Sequence, residues 1–242
     1  MSEQVRPTVF VAGATGAVGT VLVPQLRAAG LQVIPHVRPK TAARHAMGKD
    51  PDALVCDLSD ADALDAALAR ATTIVCLVGT MRSRFAAGDT YESSDYQPVV
   101  RLVQSARRAG GRHFVLLTSY GTRKGATGYL GWKWRAEEVV RSAGMPWTIL
   151  RPSALDSTNS GSQPSDGNAR RPPPLLGGAV RMLGALPGLR ALSDDLRPIP
   201  LEILCRAIVR VVEDGAPRAS VMTGRALWQA AGARPNAPRT DP

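Results

Sequence analysis

Residues 8–20 read T-V-F-V-A-G-A-T-G-A-V-G-T, and the reading of this stretch decides the fold. Thr8 to Ala12 have the apolar, β-branched and aromatic composition of a buried strand. Gly13, Gly16 and Gly19 follow, and helical periodicity begins at Ala17. Gly13 permits a tight turn out of the strand, Gly16 keeps the backbone bare toward a ligand, and Gly19 lets the helix lie close on the strand. A helix starting here aims its unpaired N–H groups and the positive end of its dipole at the turn, which suits an anion.

The same strand-then-helix order continues along the chain. Strands are predicted at 8–13, 32–38, 53–57, 72–79, 113–119, 147–153 and 219–224. Helices are predicted at 17–29, 60–70, 96–109, 129–143 and 201–213. Several strands are continuous apolar runs, as expected where helices cover both faces of a parallel sheet. The fold class is therefore α/β: a doubly wound, mostly parallel sheet with helices on both faces. Pro24 falls inside the first helix and predicts a kink or a late start. Residues 1–231 are expected to form a single domain, with a loop or lid at 156–177, rich in Gly, Ser, Asn and Pro, and a flexible tail at 232–242.

The bulk composition narrows the class. A chain of 242 residues can bury a full core, and its apolar and charged fractions are those of a folded protein. It contains no uncharged apolar run of the roughly 18 residues a membrane span requires, and its polar first residues lead directly into a strand. A cytoplasmic protein is expected. Cys56, Cys76 and Cys205 sit in apolar patterns without C-x-x-C spacing, so buried, inert thiols are expected and no metal site. The net charge of +10 comes from scattered arginines and lysines and not from a basic helix or patch. Specific nucleic-acid binding is not expected, and anionic small ligands account for part of the charge.

The strand ends identify the anion. A glycine turn between a first strand and a first helix is where a dinucleotide pyrophosphate lies, held by the backbone of Gly13, Ala14, Thr15, Gly16, Ala17, Val18 and Gly19. An acidic residue at the end of the second strand would bind the 2′-hydroxyl of NAD. This chain has His36-Val37-Arg38-Pro39-Lys40 there, and Arg38 suits the 2′-phosphate of NADP. NADP(H) is favoured over NAD(H). Asp57, with Leu58 beside it, can meet the adenine amino group or serve as an acid at a helix N-terminus. Gly79 and Thr80 let the chain pass close to a cofactor ribose at the end of the fourth strand.

Residues 129–135, Y-L-G-W-K-W-R, put Tyr129 and Lys133 on one helix face. A cation beside a phenol stabilises phenolate, which fits the phenol for proton transfer near neutral pH. The next step on the same face is Glu137, for which an ion pair with Lys133 is expected. Trp132 and Trp134 are read as packing residues.

In combination, G-A-T-G-A-V-G at 13–19, C-L-V-G-T at 76–80, H-F-V-L-L-T-S at 113–119 and Tyr129-x-x-x-Lys133-x-x-x-Glu137 carry a family resemblance. So do W-T-I-L-R-P-S at 147–153 and R-P-I-P-L-E-I-L-C-R-A-I-V at 197–209. The sequence resembles the short-chain dehydrogenase/reductase superfamily, and within it the atypical NmrA-like branch of the Tat-interacting-protein type. The resemblance implies a Rossmann-like sheet, one bound dinucleotide and a substrate pocket built from the C-terminal part. It also implies Tyr129 as general acid, Lys133 as the group that lowers its pKa and holds the nicotinamide ribose, and Ser119 or its neighbour Thr118 as the hydroxyl that orients a carbonyl. The spacing from Ser119 to Tyr129 is shorter than in standard reductases, and Tyr120 adjoins the strand end as a second phenol. The activity this implies is reduction of a carbonyl on an unidentified small molecule. The alternative is a non-catalytic NADP(H) sensor or assembly factor with a protein partner.

Overall fold

The computed structural model describes residues 7–79, 85–86, 88–156, 194–215 and 219–233. Past Asp156, the expected loop at 156–177 lies outside these residues, as do Thr80 and positions 234–242 of the expected tail.

Seven strands form one sheet: β1 (Thr8–Ala12), β2 (Gln32–Val37), β3 (Leu54–Val55), β4 (Thr73–Cys76), β5 (His113–Leu117), β6 (Trp147–Arg151) and β9 (Ala219–Thr223). Their order is β3-β2-β1-β4-β5-β6-β9, and every neighbouring pair is parallel. The chain leaves β1 toward β2 and β3, then returns to place β4 on the other side of β1. Strand order reverses between β1 and β4, and open sheets of this type bind ligands at that crevice. Two further strands, β7 (Leu155–Asp156) and β8 (Ile199–Pro200), pair with each other apart from the sheet.

Among the described residues, α-helices carry the crossovers and the C-terminal end: α1 (Ala17–Ala28), α2 (Pro39–Ala42), α3 (Ala61–Leu68), α4 (Gln97–Arg108), α5 (Gly128–Arg141), α6 (Leu201–Glu213) and α7 (Gly224–Ala230). Alternation along β1 sorts them into two layers. Val9 and Val11 join the core made with α1, α6 and α7, through Leu22, Leu26, Leu204, Ile208 and Leu227. Phe10 and Ala12 point the other way, onto α3, α4 and α5 through Leu64, Leu102 and Ala136. Burying each of the larger side chains contributes about 1.5–3 kcal/mol, so both layers hold the sheet. The two-sided, doubly wound expectation is met, and the sheet is parallel throughout its described pairings.

Local structure departs from the sequence expectations, or sharpens them, at Pro24, at 53–57 and at 224–230. α1 starts at Ala17 and runs through Pro24 without ending, so no late start occurs. The strand predicted at 53–57 is paired only at Leu54 and Val55, because the chain leaves the sheet edge at once. Residues 224–230 form α7, which no expectation covered; seven residues give too little periodicity to stand out.

The glycine turn is sterically forced. Gly13 has φ +87°, in the left-handed region. A Cβ on Gly19 would overlap the carbonyl oxygens of Gly13 and Ala14, so α1 lies directly on the turn. Gly19→Ala is expected to destabilise the protein by about 1–3 kcal/mol, the usual cost of overpacking, read from the denaturant midpoint. An unchanged midpoint would show that α1 can move away from the turn freely.

His36 and His113 are both buried and are held by the Cys56 carbonyl oxygen at 2.9 Å and the Thr148 hydroxyl at 3.0 Å. For both, burial pushes the pKa below the ordinary histidine value of 6.5. The folded state then refuses protons that the unfolded chain takes up, so stability is lost as pH falls through the ordinary value. The urea midpoint is expected to fall between about pH 7 and about pH 5 in the wild type and to vary less in a His36→Gln/His113→Gln variant. Equal slopes in the two proteins would remove the histidines as the cause.

Candidate active site

The site is built from strand ends. After β1 the chain turns at Gly13 and enters α1, whose N-cap is Gly16. No side chain caps this helix and no acid lies in its first turn, so its leading amides keep their positive field. Gly16 and Ala17 are exposed, Ala14 is buried, and a Cβ at Gly16 would meet only the Gly13 carbonyl oxygen, at 3.3 Å. Val18 and Gly19 are buried under the turn and Thr15 is half-buried. The Thr20 hydroxyl bonds back to the Gly16 and Ala17 carbonyls at 3.1 Å, which keeps the turn compact. The turn is open at Gly16 and Ala17, with no carboxylate in the first turn of α1 to repel an anion.

At the neighbouring strand ends, Arg38 and Lys40 are exposed beyond β2, with Arg38 as the N-cap residue of α2. Asp57 is exposed and Leu58 half-buried beyond β3. Asp57 does not cap α3: Asp60 does, accepting from the Ala63 N–H at 3.1 Å. Arg38 and Asp57 both act electrostatically on His36, whose ring joins β2 to the Cys56 carbonyl, so the two side chains flank one corner of the sheet.

Beyond β4, exposed Gly79 meets α5. A Cβ there would lie 3.2 Å from the Lys133 ammonium and 3.2 Å from an Asp95 carboxylate oxygen. Tyr129 and Lys133 stand one turn apart on α5, with the Lys133 nitrogen 5.7 Å from the Tyr129 ring centre. Lys133 is buried and pairs with Asp95 at 2.8 Å, both side chains being at most 5% exposed. Burial alone would lower the Lys133 pKa, but Tyr129, the Asp95 carboxylate and Cys76 together hold it above the ordinary lysine value.

That pairing corrects the expected partner of Lys133. Glu137 instead accepts from Arg151 at 2.9 and 2.5 Å, Arg141 at 3.2 Å and the Thr118 hydroxyl at 2.9 Å. Its wholly buried carboxylate ties the ends of β5 and β6 to α5. Thr118 is thereby taken up in the scaffold, which leaves Ser119 as the half-buried hydroxyl at the end of β5. The Ser119 carbonyl accepts from Thr122, and no hydrogen bond joins the Ser119 hydroxyl to Tyr129 among the described residues.

Asp95 escaped the sequence reading. It lies in a single π-turn, Glu92–Tyr96, that leads into α4. The expectation placed a helix from 96 on a 3.6-residue repeat. A wider turn changes which side chain faces inward, and only the unexplained acid before Gln97-Pro98 hinted at it. The same segment supplies a run of rings: Phe85 and Tyr91 at 5.1 Å, then Tyr91 and Tyr129 at 5.6 Å. Trp132 packs on Tyr96 and lies beneath Arg135, and Trp134 lies near Arg141. Both tryptophans are half-buried, in keeping with a packing role. The three cysteines are free and buried; burial pushes Cys56 and Cys76 up to about 11, and Cys205 is raised as well, so they are poor nucleophiles. No described helix is long and apolar enough to cross a membrane.

Comparison with known proteins agrees with this geometry. The chain is 30% identical over 238 residues to "Protein TIC 62, chloroplastic" of Pisum sativum, covering 86% of this chain and 43% of that protein. It is 32% identical over 163 residues to a divinyl chlorophyllide a 8-vinyl-reductase of Oryza sativa subsp. indica, covering 61% of this chain and 40% of the reductase. The chain thus spans less than half the length of these relatives. Among solved structures, UDP-glucose 4-epimerase from Brucella ovis in complex with NAD superposes with a TM-score of 0.63 at 15% identity, covering 92% of this chain and 81% of that one. The Bordetella bronchiseptica enzyme WbmH in complex with NAD+ gives 0.62 at 14%, covering 89% and 75%. At these identities the likeness is one of fold, that of a Rossmann-like sheet. Residues 13–172, more than half of the chain and beginning on Gly13 itself, match the family described as NAD(P)H-binding, and the protein belongs to that family.

Proposed function

We propose that the protein is an oxidoreductase of the atypical short-chain, NmrA-like kind that binds NADP(H) in preference to NAD(H) and reduces a carbonyl of a small molecule. One observation carries this reading: Gly79, at the strand end beside the switch point, closes on Lys133, so the Tyr129–Lys133 face of α5 borders the crevice where a dinucleotide would lie.

The turn at 13–19 and the uncapped start of α1 suit a pyrophosphate, and Arg38 suits a 2′-phosphate. Asp57 and Leu58 would border the adenine, Gly79 and Thr80 the ribose, and Lys133 would donate to the ribose hydroxyls. When bound, NADPH would supply the hydride for the carbonyl carbon and be left as NADP+. The carbonyl oxygen, left with the electron pair of the broken π bond, takes the proton of the Tyr129 hydroxyl. Lys133 stabilises the phenolate that remains, and Ser119 orients the oxygen beforehand. The ring of Tyr91 against Tyr129, with Phe85 edge-on to Tyr91, offers an apolar flank for the substrate.

A second reading has its own support. Asp95 already matches the Lys133 charge in a dry setting, which weakens the cation's pull on the phenol. On this reading the protein binds NADP(H) as a sensor or assembly factor, and its contacts with a protein partner follow the nucleotide.

Arg38→Ala is expected to weaken NADPH binding roughly 10-fold or more while leaving NADH nearly unchanged, the scale of one charge-assisted contact, as read by calorimetry. Equal losses for both nucleotides would take the 2′-phosphate away from Arg38. With a carbonyl panel, Tyr129→Phe should lower NADPH oxidation roughly 10²–10⁴-fold at unchanged NADPH affinity. Wild-type turnover in that variant removes the phenol from the reaction. Thermal stabilisation by NADPH with no turnover of any substrate favours the sensor.

A further inference from the structure

Lys133 has one carboxylate partner among the described ion pairs, and that partner comes from outside its own helix. Asp95 reaches it from the π-turn before α4, on the far side of the Gly79 strand end. Keeping a carboxylate with no exposed side-chain surface ionised requires close compensation, and the ammonium at 2.8 Å provides it. We propose that Asp95 is a positioning residue: its carboxylate anchors the Lys133 ammonium between Gly79 and Tyr129 and sets how many protons the tyrosine–lysine pair holds at neutral pH. The proposal rests on the reading of Tyr129 and Lys133 as the reactive pair.

Among the described residues, the groups that face this pair come from β4, the segment before α4 and α5 itself. β4 contributes the Cys76 thiol, neutral at physiological pH because burial pushes it up to about 11. The segment before α4 contributes Asp95, and Tyr91 against the Tyr129 ring. From α5 itself comes Tyr129, while Glu137 is turned away onto Arg151, Arg141 and Thr118. Asp95 is thus the one anion paired with the lysine among the described residues. Among the described ion pairs, the Asp95 carboxylate is matched to the Lys133 ammonium.

Replacing the carboxylate by a neutral group leaves a buried net positive charge. The cluster then releases its first proton more readily, whether that proton leaves the phenol or the ammonium, because the two titrate as a coupled pair. Release from the phenol would remove the proton donor. Release from the ammonium would weaken its grip on a ribose. A residue that serves only packing would leave both properties where they are.

The test uses the full chain and two readouts that need no substrate. Phenolate absorbance is followed against pH in Asp95→Asn and in the wild type, each with a Tyr129→Phe control that isolates the Tyr129 signal. NADPH affinity is followed over the same pH range. In Asp95→Asn, either the Tyr129 titration or the alkaline loss of NADPH affinity is expected about one pH unit or more lower than in the wild type. Asp95→Glu, which keeps the anion, should stay closer to the wild type. If folded Asp95→Asn keeps both profiles of the wild type, the proposal is overturned. Asp95→Ser is the second neutral variant and is read in the same way. If neither neutral variant folds but Asp95→Asn/Lys133→Met does, the carboxylate serves charge balance alone and the proposal falls. Absence of NADPH binding in the wild type would sink the functional reading, while the phenolate titration would still decide the role of Asp95.

Discussion

The contact between α1 and the turn beneath it governs the remaining geometry. With no Cβ at Gly19, the helix backbone rests against the Gly13 and Ala14 carbonyls. That approach fixes where α1 begins, and so where its uncapped amides point. It also lets the Val18 and Leu22 side chains sink into the layer shared with α6 and α7, which commits this face of β1 to that side. The opposite face, through Phe10 and Ala12, must then be covered by α3, α4 and α5. A side chain at one position would lift the helix from the strand and blunt the crevice between β1 and β4 where strand order reverses.

Two buried carboxylates on the α5 side solve the same electrostatic problem in different ways. Glu137 is saturated by two arginines and a hydroxyl, with Arg151 gripping it through two nitrogens. A planar guanidinium held in this way stays charged at any working pH, so the pair behaves as a rigid strut between β6 and α5. Asp95 is matched by an ammonium, a point charge that can share its protons with other acceptors. The strut fixes the helix in place, and the softer pair lies where a ligand would have to be recognised. Desolvation makes either carboxylate costly once its partner is lost.

Much of this could be read along the chain, for physical reasons that vary from element to element. The strands at 8–12, 73–76 and 113–117 are continuous apolar runs because both of their faces are covered, and such runs stand out. Gly13 and Gly19 were legible because each answers to a backbone constraint, a positive φ at one and the close approach of α1 at the other. The partner of Glu137 was not. Spacing along a helix says which side chains can meet, but the bidentate Arg151 arrives from another strand and outcompetes the neighbour one turn away. Asp95 was hidden for a related reason: its inward direction comes from a five-residue turn that no regular repeat announces. β7 and β8, two residues each, exist only through contact across a long separation in sequence.

The hydroxyl at the end of β5 shows how the scaffold narrows the chemistry. Strand alternation offers Thr118 and Ser119 to opposite sides, and Thr118 is drawn inward by Glu137 at 2.9 Å. Its hydroxyl also approaches the Leu150 carbonyl at 3.4 Å, so it is committed to the wall of the site and cannot turn to a substrate without leaving Glu137 short of a donor. Ser119 carries no such obligation, and its carbonyl already closes the turn to Thr122. The carboxylate that locks α5 therefore engages one of two adjacent hydroxyls and leaves the other, Ser119, out of its network among the described residues. A single buried charge thus supplies the strut and engages Thr118.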